Sequence, residues 1–270
     1  MAERLLLWQA FAKLQWGGTL VANLEKAFSE YIELPAIKQV VSQEPNTGDY
    51  VAWLYAEPMH LAVSHLTGGA IHQFRSALDT AVSTIVEAAG LKTGRTYFPM
   101  FKEEETFRAS FAISEKACPD CKAVRQKKGT NYQIRESLPE LEKILSDIQP
   151  WETGNFPLWA LGRLDNAQKH QLLVPIIGKI THRGPGVFGD SVHINNSIRL
   201  QPGGSFIIMR SQTPIEIFGD PICTGVLEFQ ETLPLGGKEV VPTLYQLFGI
   251  VQGALETLET YFRASQFGPD

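Results

Sequence analysis

Cysteine is scarce in this 270-residue chain: it has three, an odd number spread over its length, which fits a reducing compartment better than a disulfide framework. Also missing is any unbroken apolar run of about 18 residues, so the sequence offers no candidate for a membrane-spanning helix. The apolar start Leu5-Leu6-Leu7-Trp8 is interrupted by Gln9, Lys13 and Gln15 before the core of a secretion signal can form. Positive charge is in short supply too. A net charge of −5 and a pI near 5.7 argue against a broad electrostatic grip on nucleic acid, and the stretch 181–270 is more acidic than the rest. There is no phosphate-binding loop, dinucleotide-binding glycine pattern, Gly-x-Ser-x-Gly elbow or His-Glu-x-x-His pair. These absences predict a soluble, cytoplasmic protein with no membrane partner.

What the chain does have is ordinary globular material, 44% hydrophobic and 20% charged. Apolar spacing predicts a helix over 2–33, broken or bent at Gly17-Gly18. Strand-like runs at 37–42 and 50–55 flank Pro45-Asn46-Thr47-Gly48, the chemistry of a hairpin turn. A helix follows over 60–89, then an irregular charged stretch to 129 whose only local basic cluster is Lys122, Arg125, Lys127 and Lys128. Helices are predicted at 131–148 and after Pro157, strands at 174–180, 193–200, 206–210, 215–218 and 225–231, and a closing amphipathic helix at 243–262. Strands do not alternate regularly with helices, so the class is α+β: a helical core with an antiparallel sheet drawn from the early hairpin and the 174–231 strands. With no repeat or linker to force a boundary, one compact domain over 1–270 is expected. Its layers would be 1–173, mainly helical, and 174–270, mainly strands plus the last helix.

The helix over 60–89 has an unusual polar face. At about 100° per residue, His65, Gly69, His72, Ser76, Asp79 and Ser83 form a narrow stripe edged by Gly68 and Arg75. Val63, Leu66, Ala70, Phe74, Ala77, Leu78, Ala81 and Ile85 point the other way. A face left in water normally fills with Lys and Glu, whereas this one holds glycine, hydroxyls, imidazole and one acid, which predicts that something covers it. His72, Arg75 and Asp79 lie along one edge, where an acid can orient an imidazole for proton transfer and a guanidinium can hold a phosphate or carboxylate. The plainer reading makes Arg75 and Asp79 an intrahelical ion pair and lets the histidines donate to nearby carbonyls.

The helix after Pro157 supplies a second polar edge. Asn166 and His170 stand one turn apart with Arg163 beside them, and Asp165 and Lys169 form a pair in the favoured order. A solvated helix end, with Lys169 and His170 complementing the dipole, is the plainer reading here. If both polar edges meet, His72, Arg75, Asp79, Asn166, Lys169 and His170 converge.

The segments Phe74-Arg75-Ser76-Ala77-Leu78-Asp79, Phe98-Pro99, Ile148-Gln149-Pro150-Trp151, and Leu158-Trp159-Ala160-Leu161 through Asn166 and Lys169-His170 resemble a widespread set of bacterial and phage proteins with no known activity. In that set the first motif ends in Asp-His and the last reads Asn-x-Asp-Lys-His-Arg. This chain matches at Arg75, Asp79, Asn166, Lys169 and His170, and has Thr80, Gln168 and Gln171 at the positions that differ. An Arg followed closely by His on a helix is also similar to HEPN-type ribonucleases, whose Arg and His act on the RNA phosphodiester. With Thr80 at the histidine position, that resemblance implies His72 or His170 in its place.

Cys118-Pro119-Asp120-Cys121 has the spacing of half a zinc site, but only Cys223, His182 and His193 remain as distant ligands for a tetrahedral set. Zinc at Cys118 and Cys121 is the one cofactor the sequence raises; the alternative is two ordinary thiols. Two functional expectations follow. One is metal-independent acid and base chemistry on a phosphodiester: Arg75 holds charge, His72 or His170 transfers protons, Asp79 orients an imidazole, and Asn166 and Lys169 position the substrate. The other is a non-enzymatic binding or assembly protein whose stripe is a core network, with the terminal helices available as a homo-oligomer interface.

Overall fold

The computed structural model describes residues 6–33, 37–58, 61–94, 96–117, 124–128, 131–170, 176–183, 198–200, 203–216 and 222–267. The class is α+β. In chain order the elements are α1 (Trp8–Glu33), β1 (Ile37–Gln43), β2 (Tyr50–Ala56), α2 (Leu61–Ala88), α3 (Glu104–Ser110), β3 (Ile113–Ala117), β4 (Val124–Lys128), α4 (Tyr132–Ser137), α5 (Pro139–Ile148) and α6 (Phe156–His170). They are followed by β5 (Ile176–Arg183), β6 (Ile198–Leu200), β7 (Ser205–Ser211), β8 (Ile222–Glu228) and α7 (Val240–Phe267). Among the described residues no helix is long and apolar enough to cross a membrane.

Among the described residues every strand pair is antiparallel. The early hairpin β1–β2 takes β7 as its third strand, while β6, β5 and β8 pair among themselves in that order. A third pairing, β3 with β4, falls in the stretch expected to be irregular. Charged residues there interrupt the apolar alternation by which strands are read, so the pattern is hidden.

The chain divides into two compact units. One comprises Met1–Leu20, Gly68–Gln171 and Leu244–Asp270; the other comprises Val21–Thr67 and Leu172–Thr243. The first has a core of helix faces. Phe74, Ala77, Leu78, Ala81, Val82 and Ile85 of α2 are buried, as are Leu158, Leu161 and Leu164 of α6 and Leu244, Leu247, Val251, Leu255 and Leu258 of α7, each series at helical spacing. Phe74 meets Phe248 edge to face at 6.0 Å, and Phe107 packs on both Phe111 and Trp151 at 5.1 Å. The start of α1 is held by a carboxylate: the Leu6 and Leu7 N–H groups donate to Glu259 at 2.9 and 2.8 Å, and Arg263 pairs with the same acid at 3.0 Å. An anion at a helix N-terminus satisfies donors that have no partner within the helix.

In the second unit β2 buries Val51, Ala52, Leu54 and Ala56, and a bulge between Ala52 and Trp53 shifts the alternation by one residue. The Tyr31 hydroxyl donates to the Glu57 carbonyl at 2.6 Å, and Arg210 on β7 pairs with Glu44 at 2.6 Å.

Two helix boundaries differ from expectation for simple reasons. The helix expected over 131–148 is two, because Pro139 cannot donate to the preceding turn and instead opens α5 at a first-turn position. Conversely, α1 runs unbroken through Gly17-Gly18. A Cβ on Gly17 would lie 2.6 Å from the Phe74 ring, so this glycine admits a close neighbour and leaves the helix intact.

Candidate functional site

Much of the polar stripe of α2 is covered, from three directions, while His65 and His72 remain exposed. On one side Lys13 of α1 donates to the hydroxyls of Ser76 and Thr80, both at 2.8 Å. On another, α6 lies so close that a Cβ on Gly68 would fall 2.1 Å from the Gln168 side chain. The third cover is the segment 96–98: Ser83 donates to the Thr96 carbonyl at 3.2 Å, and Phe98 engages both Arg75 and Asp79. Small residues on a helix face thus allow neighbouring backbone and side chains to approach, as a face of Lys and Glu would not.

Arg75 and Asp79 form a clamp on a single backbone position. Arg75 Nη2 donates to the Phe98 carbonyl at 2.7 Å and pairs with Asp79 Oδ1 at 2.9 Å, while the same carboxylate oxygen accepts the Phe98 N–H at 2.9 Å. The Arg75 side chain is only 14% exposed. Its Nη1 is buried and finds no hydrogen-bond partner among the described residues. Burial pushes the Arg75 guanidinium below its ordinary value, against the charges of Asp79 and then Asp165. Burial likewise pushes Asp79 up, although the Arg75 charge and the Phe98 N–H pull it down; Asp165 adds to the upward push and Lys169 opposes it.

His72 takes a different acid. Its Nδ1 lies 2.9 Å from Oδ1 of Asp165, whose side chain is 3% exposed, and Lys169 Nζ reaches Oδ2 of the same carboxylate at 2.6 Å. A carboxylate can only accept, so Nδ1 carries the proton and a neutral His72 presents Nε2 as its acceptor. About half of the His72 side chain (52%) is open to solvent. The arrangement is a buried acid that fixes the tautomer of a reachable imidazole, with an ammonium on the other carboxylate oxygen. Chemically it can move a proton at Nε2 and attract an anion.

Among the expected site residues, the structure therefore brings His72 and Lys169 together through Asp165 and ties Arg75 to Asp79. Asn166 sits at an exposed position of α6. The side chain of His170 lies outside the described residues, as do Cys118 and Cys121, on which the zinc expectation rests. No group of three or more His, Cys, Asp or Glu able to hold a metal occurs among the described residues. Sequence reasoning paired Asp165 with Lys169 but did not join it to His72. The two are 93 residues apart and only the packing of α2 against α6 connects them. Lys13 and the Phe98 backbone were missed for the same reason.

No protein family, curated protein or solved structure matches the chain. The resemblance to the bacterial and phage set consequently rests on the motif residues alone.

Proposed function

We propose that the chain is a cytoplasmic bacterial enzyme that carries out metal-independent acid and base chemistry on a phosphodiester, with His72 as the proton-transfer group. The observation that carries this reading is the half-exposed His72 held at Nδ1 by the buried Asp165 carboxylate. A base fixed in one tautomer with its second nitrogen reachable has the geometry that proton transfer needs. Lys169, half exposed on the adjacent turn of α6, supplies positive charge for a phosphate oxygen. Asn166 offers an amide to position the substrate. Arg75 contributes positive charge that Asp165 feels and, with Asp79, fixes the Phe98 backbone. Orientation of the imidazole passes from Asp79, as first expected, to Asp165.

The test is cleavage of a fluorophore-quencher RNA oligonucleotide by the wild type, His72→Gln and Asp165→Asn. A His72→Gln loss of about 100-fold or more in kcat matches removal of a general acid or base. Cleavage at the wild-type rate by His72→Gln sinks the proposal, as does a wild type with no activity on RNA or on a model phosphodiester.

The clamp favours a second reading. Because Arg75 and Asp79 direct their polar atoms at the Phe98 backbone, the stripe also suits a binding or assembly protein in which it cements the core. Under that reading His72→Gln alters no chemistry, and an inactive but folded wild type is its signature.

A further inference from the structure

We infer that the outer face of α1 is a two-fold contact between two copies of this chain, with the helices antiparallel and Ala12 on the axis. From Trp8 to Trp16 the exposed positions are Trp8, Gln9, Ala12, Gln15 and Trp16, and the residues between them are buried or half-buried. None of the five carries a charge. Lys13, the one cation of that stretch, is tied to Ser76 and Thr80 of α2. Trp8 and Trp16 are 51% and 55% exposed. A helix face left in water fills with charged and polar residues, whereas the centre of an interface is enriched in tryptophan and depleted of charge.

The order of these residues selects the occupant. Read in either direction from Ala12, the exposed face is the same, with Gln three residues away and Trp four. An isologous contact needs a surface on which residue i meets j and j meets i, and a palindromic helix face meets that condition when two copies run antiparallel. Trp8 and Trp16 lie about 6 Å to either side of Ala12 along the helix, at 1.5 Å per residue, and about 40° to either side around it. In the antiparallel pair Trp8 therefore comes level with Gln15 and Trp16 of the other copy, where its indole N–H can donate to the Gln15 amide oxygen. The small Ala12 side chain lets the two helices approach at the axis.

The area suits a dimer as well. A tryptophan offers about 250 Å², so with half of each indole exposed the two present roughly 250 Å² per copy. Across the pair that is about 500 Å², near a third of a standard interface of about 1,600 Å². The rest is available on α7, which lies alongside: Glu259 takes the Leu6 and Leu7 N–H groups, and a Cβ on Gly18 would fall 3.0 Å from the Phe248 ring. From Gly249 to Thr260 the exposed residues of α7 are Gly249, Gly253, Glu256, Thr257 and Thr260, with Glu256 the only charge. A membrane surface would favour Lys and Arg bordering the tryptophans, and a face of Gln, Thr and a single Glu has neither. The contact is independent of the chemistry proposed at His72.

Sedimentation equilibrium of the full chain from about 1 to 200 µM tests the contact, with the mass expected to rise from 30.0 kDa toward twice that value. Ala12→Arg puts a good helix former at an exposed position and sets two like charges face to face on the axis. It should raise the dimer dissociation constant about tenfold or more while leaving the far-ultraviolet circular dichroism unchanged. Two cysteine variants read the direction of the helices. Ala12→Cys should form a disulfide-linked dimer under a mild oxidant that leaves the wild type unlinked. Thr19→Cys should not, because antiparallel copies hold their Thr19 positions about 21 Å apart along the axis. A wild type that stays at 30.0 kDa over the whole range overturns the contact, including one that pellets as a monomer with phosphatidylcholine vesicles. So does a dimer whose dissociation constant Ala12→Arg leaves unmoved, or one linked as readily through Thr19→Cys as through Ala12→Cys.

Discussion

Arg75 and Asp79 stand one turn apart on α2 and both reach the backbone of Phe98, so removing either leaves a buried charge and an unmatched peptide group. Loss of one partner from a buried ion pair costs about 3 to 5 kcal/mol, and Arg75→Ala should lower the urea-unfolding free energy by about that much. A loss below about 1 kcal/mol, the range of exposed pairs, shows that the clamp does not hold segment 96–98 in place. The stripe was legible in the sequence because glycine, serine and histidine are poor choices for a wet helix face. The partner of His72 was not. Asp79 lies seven residues further along α2, a rise of about 10 Å at 1.5 Å per residue, too far for a hydrogen bond to His72. Asp165 reaches it only because two helices pack, and no local spacing encodes that.

At the scale of elements, glycine has opposite meanings in two helices with similar apolar periodicity. In α1, Gly17 faces the Phe74 ring, where a Cβ at 2.6 Å has no room. In α7, Gly249 and Gly253 are exposed and a Cβ on either meets nothing within 4 Å. Gly17→Ala should therefore destabilise by about 1 to 3 kcal/mol through overpacking. Gly249→Ala and Gly253→Ala should each stabilise by about 0.5 to 1 kcal/mol, since alanine loses less backbone entropy in a helix interior. Thermal unfolding of the three variants gives the signs, and a stabilising Gly17→Ala contradicts the close packing of α1 on α2. The same ambiguity explains why the sequence predicted a break at Gly17-Gly18: a glycine pair reads alike whether it bends a helix or admits a ring. The helix stop at Gly90 was easier, because a positive-φ glycine acts through its own backbone, whereas the break at Pro139 was passed over although proline interrupts a helix just as locally. The β3–β4 hairpin was hidden by its charges, which are compatible with a strand but do not announce one.

For the molecule as a whole, the α+β class followed from the order of periodicities, whereas the distribution of strands over separate sheets and the grouping of distant stretches into two units depend on long-range pairing. The two units also carry acids with opposite responses to pH. Burial raises Asp79 in the first, so the folded chain keeps a proton that the unfolded chain releases near pH 4. Its stabilising contribution is complete below about pH 4 and is lost as pH rises through the folded value. In the second unit, Glu44 is lowered by its hydrogen bonds from Arg210 and then Thr47, so its contribution is present above about pH 4.3 and lost as pH falls through the folded value. Urea midpoints measured from about pH 2 to pH 7 should then diverge in opposite directions for two isosteric variants. The advantage of the wild type over Asp79→Asn should shrink as pH rises. Its advantage over Glu44→Gln should persist toward neutral pH, vanish in acid, and weaken in high salt because that pair is exposed. Parallel pH curves for wild type and Asp79→Asn contradict a carboxyl raised by burial beneath segment 96–98.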